Sequence, residues 1–304
     1  MSRSRATALG FGAIGMWALL ALLTVSVGPV PPFQLTAICF VIGGTLGLGW
    51  IVASGVGLAR LRGLPSAVWL VGIGGLFGYH ACYFTALRLA PPAQASLVAY
   101  LWPLLIVLFS GLLPGERLHA RHVLGAAIAF AGAWLVVLGP GASFSPASLP
   151  GLAAAAACAV IWAGYSVLSR RLGTAPTESV AIFCLATAAL SALAHVAFET
   201  TVWPQGAMAW AATAALGAGP VGLAFYLWDF GCKRGDIQLL GVGAYAAPLV
   251  STLFLVAAGV ARPTPSLALA AILIAGGALL AARATPRRAR PTEGPGTKDV
   301  RSLP

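Results

Sequence analysis

Residues 99–103 read AYLWP and residues 244–248 read AYAAP, each inside a long apolar run. Sliding the chain over itself by 145 positions superposes more than this pair. Trp17-Ala18 falls on Trp162-Ala163, Tyr100 on Tyr245, Pro103-Leu104 on Pro248-Leu249, and Gly132-Ala133 on Gly277-Ala278. The chain therefore reads as one unit written twice, over residues 1–145 and 146–284. Residues 285–304, rich in Pro, Gly and charge, are expected to form a disordered cytoplasmic tail.

Around these two motifs the composition is that of a membrane protein: mean hydropathy is +0.91 and 8% of the 304 residues are charged. Ten runs contain no Asp, Glu, Lys or Arg: 6–27, 33–53, 66–87, 93–113, 123–139, 149–169, 179–198, 207–228, 237–258 and 266–282. A helix needs about 20 residues to cross the hydrocarbon core, and each run is near that length. None alternates at period two, which excludes a β-barrel and leaves helices as the structure that satisfies its own backbone in lipid. The predicted fold is all-α and polytopic, with ten transmembrane helices. Sixteen of the 18 Lys and Arg fall on one side if the N-terminus is cytoplasmic, with Arg88 and Arg262 on the other. The positive-inside rule then puts both termini in the cytoplasm. The net charge of +11 is a topology signal, and no nucleic-acid partner is expected.

Five spans per copy is an odd number, so the second copy should enter the membrane from the opposite side. Inverted repeats of this kind hold a substrate between the copies near the midplane, and one half rocks against the other. The inversion makes Tyr100 an outer and Tyr245 an inner residue, two lids around a middle set by Trp17 and Trp162. Tyr83 and Trp228 form a second matched pair. Pro103 and Pro248 each remove a helix N–H and strand the carbonyls of Ala99 and Ala244, marking two hinges that should face protein or water.

GYHACYF (residues 78–84) sets Tyr79, His80 and Tyr83 on one helical sector, three polar-tipped rings ill suited to lipid. His80 stands well inside its span, and an ionisable group there is a site candidate. Trp162 and Tyr165 lie three apart on one face of the sixth span, and Trp102 and Trp228 complete the aromatic set. Asp229 has Lys233 at i+4 and reads as a local ion pair at the cytoplasmic end. Gly43 with Gly47 and Gly74 with Gly78 have the spacing of close helix packing. The five cysteines show no CxxC or CxxH spacing, and no disulfide, metal or cofactor is expected.

With GERLHARHVLGAAIAFAGAWLV (115–136) closing the first copy, the chain resembles the EamA-type drug/metabolite transporter superfamily from about residue 6 to 283. Tyr100-Leu101-Trp102-Pro103 and Trp162-Ala163-Gly164-Tyr165 look most like its YddG aromatic amino acid exporters. The resemblance implies a multi-pass protein of the bacterial inner membrane that exports small molecules, with spans 1, 3, 4, 6, 8 and 9 around a central cavity. It supports Trp17, Tyr100, Trp102, Pro103, Trp162, Tyr165, Tyr245 and Pro248 as lining or hinge positions. Two positions depart from the pattern: Asp229 replaces an amide, and Ala261 has no acid to match Glu116.

The reading that results is a carrier of amino acids, aromatic and other mainly neutral ones, working by alternating access and as a monomer in the lipid bilayer. The ten runs hold no carboxylate, and proton-coupled carriers commonly use one, so facilitated diffusion is expected. Proton exchange through His80 is the lesser option for that carrier, and the alternative function is a broad-specificity drug and metabolite exporter, with proton coupling open. A membrane enzyme would have to use Glu116, His119 and His122, whose spacing fits no metal motif.

Overall fold

The computed structural model describes residues 1–55, 57–137, 145–259, 262 and 264–284, and the tail expected to be disordered lies outside them. Among the described residues ten helices are long and apolar enough to cross a membrane: α1 (Arg3–Val27), α2 (Pro32–Ala53), α3 (Ser66–Leu89), α4 (Pro92–Ser110) and α5 (Ala120–Val137), then α6 (Pro146–Arg171), α7 (Ser179–Phe198), α8 (Gly206–Arg234), α9 (Ile237–Ala257) and α10 (Pro265–Ala282). There is no strand among the described residues. Proline opens α2, α4, α6 and α10, where its missing N–H costs nothing and its fixed φ suits the first turn. Gly28, Gly55 and Gly115 close turns at positive φ after α1, α2 and α4.

Three spans are broken near mid-length, each beside a residue singled out above. α1 is interrupted after Trp17, α4 at Tyr100-Leu101 and α9 at Ala244-Tyr245. α8 widens into a π turn at Gly219–Leu223. The breaks in α4 and α9 precede the two prolines, which can take a place in a new first turn but not a donor's place in a helix interior. The expected stranding is not observed at Ala244, because the chain tightens there and the Ala247 N–H donates to its carbonyl at 3.0 Å.

The main packing pairs each join one helix from either half: α5 with α10, α3 with α6, α2 with α7, and α1 with α8. α5 and α10 run antiparallel, since Gly125 meets Gly277 and Ala281 while Gly132 meets Ala270 and Ile274. α2 and α7 also run antiparallel, as the start of α2 meets Glu199 just past the end of α7. A Cβ on Gly125 would lie 2.5 Å from the Gly277 carbonyl oxygen, and one on Gly43 would lie 2.7 Å from the Gly222 Cα. Only glycine permits backbones to touch in this way. The Gly74–Gly78 pair does not act similarly. Gly74 faces open space, and its neighbours Gly72 and Gly75 take the rings of Phe183 and Tyr165 instead.

Both ends of the bundle are tied by charge. At one end Glu199 accepts the Phe33 and Gln34 N–H groups at 3.1 Å each, capping orphan donors of α2, and pairs with Arg88 at 3.1 Å and His195 at 3.0 Å. The other end carries the remaining ion pairs and is called the charged end below. α8 corrects one expectation there. It continues through Asp229 and Lys233, so a carboxylate does lie within a span, 1% exposed. The pair is tolerated because Lys233 Nζ sits 2.8 Å from Asp229 and the Thr177 hydroxyl donates to its other oxygen at 2.7 Å. His122 is likewise inside α5, buried in its first turn, with its Nδ1 accepting the His119 N–H at 3.2 Å.

Candidate functional site

Four tryptophans from four spans meet at mid-bundle: Trp17 of α1, Trp102 of α4, Trp162 of α6 and Trp228 of α8. Trp17 stands at their centre, its ring centroid 5.0 Å from Trp228, 5.7 Å from Trp162 and 6.2 Å from Trp102. Trp102 meets Trp228 edge-on at 5.7 Å, and Phe225 closes the group against Trp17 and Trp162. Contacts of this geometry each add about 0.5–1.5 kcal/mol beyond the area they bury. Two of the indole N–H groups find acceptors on neighbouring spans, one of them in the π turn. Trp17 Nε1–H donates to the Pro220 carbonyl in the π turn at 3.1 Å. Trp228 Nε1–H donates to the Ser166 hydroxyl at 3.0 Å, and that hydroxyl donates to the Trp162 carbonyl.

Along α3, away from the charged end, a second layer of rings leans on this cluster. Tyr79 packs on Trp162 at 5.2 Å, and Tyr83 stacks parallel to Tyr79 at 6.0 Å. The Tyr83 hydroxyl and the Ser96 hydroxyl are hydrogen-bonded at 3.0 Å. His80 Nδ1–H donates to the Leu76 carbonyl at 2.7 Å, which in a neutral ring leaves Nε2 as an acceptor, and the ring is seated edge-on against Phe40. Tyr165, 2% exposed, lies tilted against Trp162 at 5.1 Å, and its hydroxyl makes no hydrogen bond of good geometry among the described residues, although the Ser169 side chain lies beside it. Tyr100 is half-buried, and its hydroxyl has no hydrogen bond among the described residues.

Burial across these rings is graded. Trp17, Tyr79, His80, Tyr83 and Tyr100 keep part of their surface, whereas Trp102, Trp162, Tyr165 and Trp228 are 6%, 3%, 2% and 0% exposed. The partly open rings lie toward the Arg88 end of α3, and the sealed ones lie toward the charged end. Eight of the ten aromatic residues expected at the site are thus joined by ring contacts, and Tyr100 lies near Tyr79 and Tyr83 without a ring contact of its own among the described residues. Tyr245 is not among them. It is fully buried beside Phe130 at 5.9 Å, with Val107 and Ile274, and its hydroxyl accepts the Leu104 N–H at 3.1 Å.

Below the tryptophans the charged end is shut by a network that sequence reasoning missed. Glu116, from the α4–α5 connector, holds Arg170 of α6 in a close ion pair and Arg3 of α1 at 3.5 Å. Arg3 also reaches Asp236 at the start of α9, at 3.6 Å. Arg170 donates to the Cys232 and Gly235 carbonyls at 2.9 and 2.8 Å, and the Asp236 N–H donates to Thr7 at 2.9 Å. Arg60 and Glu178 add a pair at 3.3 Å. The missed contributors Phe225 and Phe40 carried no signal, since phenylalanine in an apolar helix is ordinary. Chemically the site offers π faces, a few hydroxyls and an imidazole acceptor. No group of three His, Cys, Asp or Glu that could hold a metal is found among the described residues.

Residues 5–138 and 149–283 each match the profile of the EamA-like transporter family. An aromatic amino acid exporter, YddG, of Ancylobacter novellus is 62% identical over 284 residues, covering 92% of this chain and 98% of its own length. YddG of Escherichia coli is 26% identical, covering 94% of this chain and all of its own. The pseudopaline exporter CntI of Pseudomonas aeruginosa is 32% identical over 141 residues, 46% of this chain and 45% of its own. One solved crystal structure superposes with a TM-score of 0.89 at 60% identity, covering 93% of this chain and 99% of that one.

Proposed function

The chain belongs to the EamA-like transporter family, and from that premise we propose that it exports amino acids, aromatic ones among them, across a bacterial inner membrane by alternating access. The graded burial of the aromatic cluster carries this reading. Rings open toward one end and sealed toward the other are what a carrier holds in one of its two states. The charged end is the cytoplasmic one, as the excess of Lys and Arg there requires, so the state described faces outward. The two copies, 1–145 and 146–284, are inverted relative to each other. The two matches to the family profile and the antiparallel course of the counterpart spans α5 and α10, and α2 and α7, support this.

An apolar side chain fits the π faces, while Tyr79, His80, Tyr83 and Tyr100 supply hydroxyls and an acceptor for the polar end of a zwitterion. The one carboxylate within a span among the described residues, Asp229, is paired with Lys233 at 2.8 Å, which supports downhill movement without proton coupling. The similarity to proteins named aromatic amino acid exporters points the same way.

The test is efflux of labelled phenylalanine, threonine and lysine from liposomes holding the purified chain, with and without a pH gradient. Phenylalanine and threonine are expected to leave at rates the gradient does not change. Gradient-dependent flux would replace downhill movement with proton exchange through His80. No flux of any amino acid would overturn the assignment in favour of drug or metabolite export.

A further inference from the structure

The hydrogen bond from the Leu104 amide to the Tyr245 hydroxyl joins two broken spans at their breaks. α4 restarts at Trp102, so Leu104 sits in a new first turn, where N–H groups have no partner in their own helix. The oxygen that satisfies this one comes from the other half, from a tyrosine that is itself the break in α9. Tyr245 is 0% exposed, and its ring is clamped by Phe130 and Val107. Displaced by 145 positions, the same elements recur as Tyr100 and Leu249. There the bond is not made, since the Tyr100 hydroxyl has no hydrogen bond among the described residues and its ring is half-buried. One interaction that the repeat could make twice is made once, on the sealed side.

We propose that Tyr245 is a positioning residue of the transport cycle, and that the bond changes hands: Tyr245 to Leu104 while the charged end is shut, Tyr100 to Leu249 while it is open. The inference rests on the alternating-access reading. It assigns Tyr245 the role of a strut between breaks, with no contact to substrate. Each state then satisfies one first-turn amide with the phenol of the opposite half, so the two states stay close in energy although their hydrogen bonds differ.

The full chain, its five cysteines replaced, is spin-labelled at exposed positions 118 and 234 beside the charged end and reconstituted in nanodiscs with and without phenylalanine. Pulsed dipolar spectroscopy gives the ratio of open to shut populations. Tyr245→Phe is expected to raise that ratio about fivefold, the worth of one net hydrogen bond. Tyr100→Phe lowers it about as much, and the double variant returns it close to that of the parent. A structural loss would not produce opposite signs that cancel. Should Tyr245→Phe fail to insert, Tyr100→Phe carries the test alone, because that ring is only half-buried. Unchanged ratios, or shifts of the same sign, overturn the exchange and leave alternating access standing. A single population in the parent under both conditions overturns both.

Discussion

Trp162 touches more rings than any other residue of the site: Trp17, Trp102, Trp228, Tyr79, Tyr165 and Phe225 all lie within 6.3 Å of it. Truncating an aromatic side chain in a packed core costs about 3–5 kcal/mol, because the surroundings collapse only in part. Trp162→Ala is therefore expected to lower stability by that amount in a steric-trap or SDS unfolding assay, and to abolish phenylalanine flux. Tyr165→Phe removes a buried hydroxyl that makes no well-formed hydrogen bond among the described residues, with Ser169 beside it, and should leave stability unchanged or raised. The tryptophans could be found in the sequence because each is large, polar-tipped and far from a span end. Tyr245 satisfied the same criteria and sits elsewhere. Its place in the sequence fixes its depth, while its direction depends on how α9 turns at the break, and no local pattern records that.

The broken spans have unequal roles. In α4 the break opens between the hydroxyl of Tyr100 and the indole of Trp102, placing a ring of the cluster at the head of a new helix. Pro103→Ala restores an N–H and removes the reason to interrupt the helix, so α4 should run straighter and Trp102 should turn out of register with Trp17. The expected result is a protein that inserts normally, with phenylalanine efflux reduced about tenfold or more, as small displacements of binding groups commonly do. Normal flux would show that the break is set by the tyrosine side of the motif alone. Span number and order were readable from charge-free runs. The ends were not, because α8 hides a mutually neutralised Asp229 and Lys233 inside its helix, and α5 buries His122 in its first turn. A charge ends an apolar run on paper, yet a paired charge need not end a helix.

For the molecule as a whole, the network of Arg3, Glu116, Arg170 and Asp236 is not repeated among the described residues at the other end, where Glu199 with Arg88 and His195 is a smaller tie. Displacement by 145 turns Glu116 into Ala261 and Arg3 into Ser148. The charged end is thereby biased to stay shut. Glu116→Gln leaves the Arg170 guanidinium short of its close partner and should loosen the seal. Cleavage by trypsin after Arg117, measured in right-side-defined proteoliposomes, is expected to quicken several-fold, and it should slow again in Glu116→Gln/Arg170→Gln. Unchanged cleavage would mean that the pairs decorate an end held by packing.

The glycine contacts limit what can move. Gly125 lies against the Gly277 carbonyl and Gly43 against Gly222, backbone on backbone, and each contact joins one ancestral copy to the other. Helices meshed so tightly cannot slip by a residue without a side chain striking a carbonyl. α5 with α10, and α2 with the π turn of α8, therefore act as fixed chassis members. Under the alternating access proposed above, the bodies that swing must each draw helices from both copies, so the line between frame and door runs across the gene duplication instead of along it.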